Sequence, residues 1–294
     1  MYKKLTKKAR GIVYLIGALL LAVSVIGYAA GNIGHSKADM GTTQVQAASN
    51  TSYEDSNKSI TIKKVVTGFG KAQLTYYVAD VKLSDITQLK EAFAKGTFAA
   101  GNEDLTSNIA KQNNALFAIN GDYYGFRENG IIIRNGTLYR DVPIRTGCAF
   151  YKDGTMKIYD ETKTTGEELI KNNVWMTLSF GPPLVENGEV VPGTLDYMVD
   201  AGNHGIQGVH PRTGVGMLEK NHFLFVVLDG RCPNYSAGLE LDQFAQIFKD
   251  LGCKTAYNLD GGFSSIMYFK DGVVSNSAGR NLEREISDII YISK

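Results

Sequence analysis

Turn signals between short apolar runs are the feature of this sequence that most restricts its fold. Three such turns stand at Asn135-Gly136, Asp153-Gly154 and Lys270-Asp271-Gly272, each between runs of strand-forming residues. Asn-Gly and Asp-Gly favour the positive backbone angles of tight hairpin turns. Because a hairpin joins neighbouring antiparallel strands, the pattern predicts a sheet-rich domain with mostly antiparallel or mixed pairing.

Further strands and helices follow from the spacing of apolar residues. Continuous or alternating apolar runs predict strands at 60–66, 73–82, 115–119, 223–228, 255–257 and 286–292. Helical spacing and capping residues predict helices at 84–93, 105–113, 165–172 and 239–251. Since strands outnumber helices, the expected class is α+β, a sheet with a few packed helices.

The first thirty residues have the composition of a membrane-targeting segment. Residues 1–10 are basic, and residues 11–30 carry no charge. About 20 apolar residues span a bilayer, whereas the apolar core of a cleaved signal peptide runs about 7–15. The length favours a single-pass signal anchor, with cleavage near 27–29 as the alternative. The basic flank predicts a cytoplasmic N-terminus and an extracellular C-terminal domain, secreted if the segment is cleaved.

The rest of the chain is predicted to be one domain behind a tether. Residues 31–58 are small and polar without apolar periodicity, which is typical of a flexible tether. Residues 59–294 show no second linker. This body is slightly acidic and has no basic stripe, so nucleic acid is not an expected partner.

The cysteines Cys148, Cys232 and Cys253 lack the spacing of metal ligands. In an exported domain one pair is oxidised or all three are buried thiols, and the sequence leaves both readings open.

Polar clusters at the ends of apolar strands are the candidates for chemistry, because rigid strands position such loops. Asn120 and Asp122 follow a predicted strand, and a carboxylate there serves as acid, base or ligand unless it only caps an Asx turn. Arg212 and Thr213 precede an apolar stretch. The Arg fork suits a phosphate, and a solvated surface arginine is the alternative.

Two further clusters lie later in the chain. In Asp229-Gly230-Arg231 the acid and the base set each other's charge state or form a structural ion pair. Residues 258–265 combine a carboxylate with a glycine turn that brings backbone N–H groups close to an anion, although a plain tight turn explains the glycines as well. Their candidate residues are Asn258, Asp260, Gly261, Gly262, Ser264 and Ser265. Arg284 either faces the same pocket or belongs to a solvated charge run.

Carboxylates that converge with arginines suit glycosidic or phosphodiester cleavage. One acid protonates the departing oxygen, another carboxylate attacks carbon or activates water, and cations hold the phosphate. No cofactor is required by this scheme, but Asp122, Asp229 and Asp260 could together bind a divalent cation. A serine nucleophile at 264 or 265 would need a histidine base, for which the sequence shows no clear partner.

In order and spacing, these clusters resemble the phosphodiester glycosidase family, whose bacterial members are associated with exopolysaccharide biosynthesis. The resemblance covers 116–293 and rests on the blocks at 120–124, 211–216, 227–231, 251–252, 258–262 and 283–286. It implies hydrolysis of a sugar-1-phosphodiester at the anomeric C–O bond, in a cell-envelope or extracellular glycopolymer. A non-catalytic glycan-binding or exopolysaccharide-assembly protein with the same fold is the alternative.

The resemblance also implies roles for individual residues. Asp260 and Asp229 would be acid/base or nucleophile, with Asn120 and Asp122 lining the sugar. Phosphate would be held by Arg212, Thr213 and Arg231, and hydrogen bonds at the glycine turn would come from Ser264 and Ser265. Phe263 stands where family members commonly have a third glycine, and an aromatic ring there stacks on a sugar or narrows the approach.

Overall fold

The computed structural model describes residues 44–46, 51–193 and 206–294 of the 294-residue chain. These belong to one compact unit, Met40–Lys294. The predicted anchor at 11–30 lies outside the described residues, and among those described no helix is long and apolar enough to cross a membrane.

The strands and helices have the following bounds. The strands are β1 (Gln44–Gln46), β2 (Ser52–Glu54), β3 (Lys58–Thr67), β4 (Leu74–Leu83), β5 (Leu89–Phe93), β6 (Asp104–Leu105), β7 (Ala115–Asn120), β8 (Gly130–Arg134), β9 (Thr137–Val142), β10 (Thr146–Tyr151), β11 (Met156–Asp160), β12 (Val174–Leu178), β13 (Pro183–Glu186), β14 (Glu189–Val190), β15 (Arg212–Glu219), β16 (His222–Leu228), β17 (Thr255–Asn258), β18 (Met267–Phe269), β19 (Gly272–Val273), β20 (Glu285–Ile286) and β21 (Asp288–Ser293). The α-helices are α1 (Thr106–Gln112), α2 (Gly166–Lys171) and α3 (Leu241–Asp250).

Two antiparallel sheets form the centre of the fold. Within the described residues the larger has nine strands, in the order β1-β3-β4-β16-β15-β17-β13-β14, with β2 also paired to β3. The smaller has five, in the order β19-β18-β7-β21-β5. Phe117 of β7 and Phe225 of β16 are in ring contact, with centroids 5.2 Å apart, and both belong to the main core. The expected α+β class with mostly antiparallel sheet is confirmed.

Locally encoded elements were predicted correctly. The three hairpins are β8–β9, β10–β11 and β18–β19, and Asn135 and Gly136 adopt φ of 52° and 81° as an Asn-Gly turn requires. The helices expected at 105–113, 165–172 and 239–251 are α1, α2 and α3. The capping box of α2 forms through Thr165 and Glu168.

The helix predicted at 84–93 is wrong. Ile86–Gln88 forms a short 3-10 turn whose N-cap, Asp85, accepts a hydrogen bond from the Thr87 N–H. Leu89–Phe93 is strand β5, which pairs with β21 at the C-terminal end of the chain. That ladder satisfies the backbone of β5, so a distant partner overrides the local helical spacing.

The predicted tether at 31–58 is only partly described, and its described portion contains strands. Gln44–Gln46 and Ser52–Glu54 pair with β3 in antiparallel register. The sheet therefore begins before residue 59, because backbone pairing to β3 does not require an apolar sequence.

The three cysteines are thiols in the structure. Cys148 and Cys253 are buried, and Cys232 is half-buried.

Candidate active site

Strand register brings three of the predicted clusters to one edge of the larger sheet. The first residue of β15, Arg212, pairs with Leu228, the last residue of β16. Gly214 of the same strand pairs with Asn258, the last residue of β17. Because β15 is antiparallel to both neighbours, its start lies beside their ends. The loops that begin at Asp229 and at Leu259 therefore leave the sheet next to Arg212.

A pocket of about 230 Å³ opens at this edge. It is lined by Tyr123, Phe180, Ile206, His210, Arg212, Arg231, Asn258, Leu259, Asp260, Gly261, Gly262, Phe263 and Arg284. A smaller adjoining hollow shares Tyr123 and Asp260 and is lined also by Asn120. The spatial convergence of the loops near 120, 212 and 260 is thus present.

Asp260 is the carboxylate of the pocket. It is half-buried, and loss of hydration raises its pKa above the usual value. The Ser264 hydroxyl, the Arg284 charge and the Gly261 N–H, which donates to Asp260 Oδ1 over 2.9 Å, act in the opposite direction and lower that pKa. Desolvation therefore favours the protonated form of Asp260, whereas these neighbours favour its ionised form.

Asn120 and Thr213 hold the backbone of Asp260 through two consecutive hydrogen bonds. Asn120 Nδ2 donates to the Asp260 carbonyl over 2.8 Å, and Thr213 Oγ1 donates to Asn120 Oδ1 over 2.8 Å. All atoms of this relay are buried or nearly so. It connects β7 of the smaller sheet to β15 and to the loop after β17, so it fixes the position of the Asp260 backbone.

Both positions after Asp260 require glycine, Gly261 because of close packing and Gly262 because of its backbone angle. A Cβ on Gly261 would lie 2.8 Å from the Pro211 carbonyl oxygen, and Gly262 has φ of 65°. Gly262 N–H donates to that carbonyl over 3.0 Å, while Gly261 N–H is taken by Asp260. The N–H groups expected to face an anion are thus bonded within the protein, and the cations of the pocket come from side chains.

Arg212 differs from the other arginines of the pocket because its guanidinium is hydrogen-bonded to the protein backbone. It is buried, and its Nε, Nη1 and Nη2 donate to the carbonyls of Leu239, Ile206 and Gly208 over 3.0, 2.8 and 2.6 Å. Burial, with the Arg231 charge, lowers its pKa to about 10. The guanidinium ties together two loops of the pocket wall.

Arg231 and Arg284 are exposed and line the pocket. The Arg231 guanidinium lies over the Phe263 ring, 5.2 Å from its centroid, and Nη2 is 3.2 Å from His210 Nδ1. The Arg284 guanidinium lies 5.8 Å from the Tyr123 ring centroid. Because both side chains are exposed and line the pocket, their guanidinium groups are accessible to an anion there.

Asp229 and Asp122 are not among the lining residues of the pocket. Asp229 is buried and accepts hydrogen bonds from the Tyr235 hydroxyl over 2.7 Å and from the Asn276 N–H over 3.0 Å. Burial raises the Asp229 pKa to about 6. Asp122 is buried against Arg134, at 2.9 Å, and accepts from the Ser179 N–H over 2.7 Å.

The suggested cation site is therefore not assembled from Asp122, Asp229 and Asp260, since each has separate protein partners. Among the described residues no group of three His, Cys, Asp or Glu side chains is placed to hold a metal ion.

Ser264 and Ser265 are fully buried behind the glycine turn. No hydrogen bond joins either hydroxyl to a histidine within the described part of the chain, and His210, which lines the pocket, is engaged with Arg231. The arrangement lacks the serine–histidine contact that a serine hydrolase needs.

Sequence reasoning missed several pocket residues. Phe180 and Ile206 line the pocket without having been predicted to, and the sequence left the roles of Tyr123, His210 and Arg284 undecided. One usable signal was the position of Tyr123 inside the block at 120–124, where it adopts φ of 76°. The others depend on contacts between distant loops.

Comparison with known proteins identifies a family and related folds. A family model described as phosphodiester glycosidase matches residues 113–293. The SPbeta prophage-derived uncharacterized protein YomE of Bacillus subtilis (strain 168) is 28% identical over 244 residues, which cover 75% of this chain. The chain spans only 36% of that relative's length.

Solved structures share the fold at low sequence identity. The catalytic domain of zebrafish N-acetylglucosamine-1-phosphodiester alpha-N-acetylglucosaminidase, in a form auto-inhibited by its pro-peptide, superposes with a TM-score of 0.64 at 21% identity and covers 86% of this chain and 88% of that one. A hypothetical protein from Synechocystis superposes with a TM-score of 0.59 at 14% identity, covering 80% of this chain and 62% of its own. With the family model matching more than half of its length, the chain belongs to the phosphodiester glycosidase family.

Proposed function

We propose that the protein hydrolyses the glycosidic bond of a sugar-1-phosphodiester in a cell-envelope or extracellular glycopolymer. The observation that carries this proposal is the placement of one carboxylate, Asp260, in a single pocket with two exposed arginines, Arg231 and Arg284. Family membership supports a hydrolase. A sugar ring suits the aromatic walls of Tyr123 and Phe263, and the arginines suit its phosphate.

We assign the proton-accepting role to Asp260. Its carboxylate takes a proton from the water that attacks the anomeric carbon, and the C–O bond to phosphate breaks with its electron pair on the oxygen. The products are the free sugar and a phosphomonoester. A phosphomonoester has a second pKa of about 6 and leaves readily as an anion, so the positive charge of Arg284 takes the place of a proton donor. A base whose pKa is raised toward neutrality is well matched to this step.

We propose that Asp229 and Asp122 hold the loops around the pocket and do not react with the substrate. Asp229 holds the Asn276 backbone and Tyr235, and Asp122 accepts a hydrogen bond from the Tyr124 N–H and so holds the turn that contains Tyr123. Asn120, Thr213 and Arg212 likewise position the wall and floor of the pocket. Ser264 is proposed to support the ionised Asp260, and Ser265 to pack behind it.

The test uses the purified protein and an α-linked hexosamine-1-phosphodiester, with released sugar as the readout. Asp260→Asn removes the base and is expected to lower kcat by about 10²–10⁴-fold. Asp271→Asn, at an exposed carboxylate paired with Lys294, is the matched control and should leave the rate unchanged. An undiminished rate in Asp260→Asn would contradict the assignment. Binding of the sugar phosphate without turnover would favour the non-catalytic glycan-binding alternative.

A divalent cation is not required in this proposal, because the arginines neutralise the phosphate. Activity should survive extensive dialysis against a chelator. Loss of activity that Mg²⁺ or Ca²⁺ restores would instead show that a cation takes part.

We also propose that the domain works outside the cell, tethered to the membrane by residues 11–30. The support is the sequence alone, a basic flank followed by an uncharged stretch long enough to span a bilayer. Protease added to intact cells should degrade the C-terminal domain. In untreated cells the domain should be recovered in the membrane fraction. Recovery from the medium would indicate cleavage of the segment instead.

A further inference from the structure

Two exposed arginines of the pocket have no carboxylate partner at ion-pair distance among the described residues. One phosphodiester carries one negative charge. Arg212 is committed to three backbone carbonyls, but Arg231 and Arg284 are both exposed in the pocket. Neither forms an ion pair with a carboxylate within the ranges that the structure describes. Two guanidinium groups are therefore available for ligand anions.

The two arginines serve different parts of the pocket. Arg284 lowers the pKa of Asp260, so its charge acts where the glycosidic oxygen would lie. Arg231 lies beside the glycine turn, where a Cβ on Gly262 would be 3.3 Å from its Nη1. It is supported by the Phe263 ring and by His210. Arg284 therefore acts on Asp260, whereas Arg231 lies beside the glycine turn.

The backbone of Arg231 adopts a conformation that is uncommon for an arginine. Arg231 adopts φ of 58°, and its N–H donates to the Ala237 carbonyl over 3.0 Å. A left-handed conformation is strained for a residue other than glycine, and asparagine is among the residues that tolerate it best. An arginine in this position keeps that strain although a smaller residue would relieve it.

His210 and Phe263 keep the Arg231 charge available to a ligand. His210 Nδ1 accepts from the guanidinium, which requires an unprotonated nitrogen, and burial with the charges of Arg212 and Arg231 lowers the His210 pKa accordingly. An aromatic face and a neutral acceptor orient a guanidinium without neutralising it. A carboxylate in the same place would have cancelled its charge.

Resting on the proposed function, we propose that the preferred substrate carries a second phosphate group on the aglycone side of the scissile phosphodiester, bound by Arg231 against Phe263. The second phosphate would belong either to the next unit of a phosphate-containing polymer or to a directly linked diphosphate. Both sources share the chemistry that an arginine fork recognises.

The test compares three substrates with the same α-linked hexosamine. One is the sugar-1-phosphoglycerol with a free hydroxyl, the second carries a phosphate on that glycerol, and the third is the sugar 1-diphosphate methyl ester. The wild-type protein should hydrolyse the second or the third with a kcat/KM at least about 10-fold above the first, the difference expected for a charge-assisted contact. Whichever is preferred identifies the spacing of the second phosphate.

Arg231→Asn is the informative variant, because asparagine tolerates the left-handed backbone and carries no charge. The preference between phosphate-bearing and hydroxyl-ended substrates should fall about 10-fold, chiefly through KM, while the thermal unfolding temperature is unchanged or higher. Arg231→Lys should keep part of the preference. Arg280→Gln, at an exposed arginine outside the pocket lining, should keep all of it.

The outcomes separate the two proposals. No sugar release from any of the three substrates would overturn the proposed function. Release without preference in the wild type, or a preference that Arg231→Asn leaves intact, would overturn the second-phosphate inference alone. A marked loss of stability in Arg231→Asn would show that the arginine is structural and would likewise overturn it.

Discussion

At the scale of single residues, the ionisation of Asp260 is set by opposing influences from identified neighbours. Desolvation raises its pKa, whereas the Ser264 hydroxyl, the Arg284 charge and the Gly261 N–H lower it. Arg284 therefore has two effects, since it attracts the phosphate and keeps the carboxylate ionised in the free enzyme. These effects separate experimentally, because only the second changes the pH at which activity is lost.

Arg284→Gln should move the acid limb of the kcat/KM profile to higher pH. Removing the positive charge disfavours the carboxylate, so the Asp260 pKa rises further and the base protonates at a higher pH. The measurement is kcat/KM between pH 4 and pH 8 for the wild type and the variant. Arg280→Gln changes charge in the same segment without lining the pocket and should leave the limb in place. A limb that stays fixed in Arg284→Gln would show that another group controls it.

At the scale of elements, the sequence predicted correctly those elements whose structure depends on residues close together in the chain. The hairpins at Asn135-Gly136 and Asp153-Gly154 form as their turn residues require. Strand β5 was misread as a helix because its partner, β21, lies at the other end of the chain and leaves no trace in the spacing of residues 84–93. A sequence pattern reports periodicity, whereas sheet pairing is decided by which segments meet.

The Asn135 turn also joins separate parts of the fold, which gives it a measurable energetic role. Asn135 Nδ2 donates to the Glu91 carbonyl over 2.8 Å, and its Oδ1 accepts from the Glu91 N–H over 2.9 Å. Asn135→Gly keeps the positive φ but removes both bonds and should lower the free energy of unfolding by about 1–3 kcal/mol. Urea denaturation provides the measurement.

Asn187→Gly is the matched control for that change. Asn187 also precedes a glycine at a turn and has φ of 52°, the same as Asn135. It is exposed, and within the described residues no side-chain hydrogen bond is assigned to it. The control should change stability by much less than Asn135→Gly. Equal effects would attribute the cost to the glycine backbone rather than to the lost bonds.

At the scale of the whole molecule, the sequence identified the loops of the site but not which side chains face it. The blocks containing Asp260, Arg212 and Asn120 converge as their order along the chain suggested. Whether a carboxylate faces solvent or core depends on partners that are distant in sequence. Asp122 meets Arg134 and Asp229 meets Tyr235, and neither contact has a sequence signature. Composition identifies ionisable residues, whereas three-dimensional packing determines which of them can react.

A buried charge cluster around Arg134 illustrates the same limit and has a consequence for stability. Arg134 is surrounded by Glu91, Asp122 and Asp288 at 2.6, 2.9 and 3.1 Å, all buried. One guanidinium cannot balance three ionised carboxylates. Burial and mutual repulsion accordingly raise the pKa of Glu91 and of Asp288, although Arg134 opposes the rise.

The free energy of unfolding should therefore fall as pH rises from about 5 to 7. Glu91, Asp288 and Asp229 keep protons in the folded state at pH values where unfolded carboxyls, with pKa near 4, have lost them. Each such proton contributes a slope of up to about 1.4 kcal/mol per pH unit, and the lowered pKa of His210 opposes this only in part. Urea denaturation at pH 5, 6 and 7 measures the slope. Glu91→Gln, which mimics the protonated side chain, should flatten it, whereas Glu186→Gln on the exposed end of β13 should not. A stability that rises over this range would mean that the cluster is fully ionised in the folded protein.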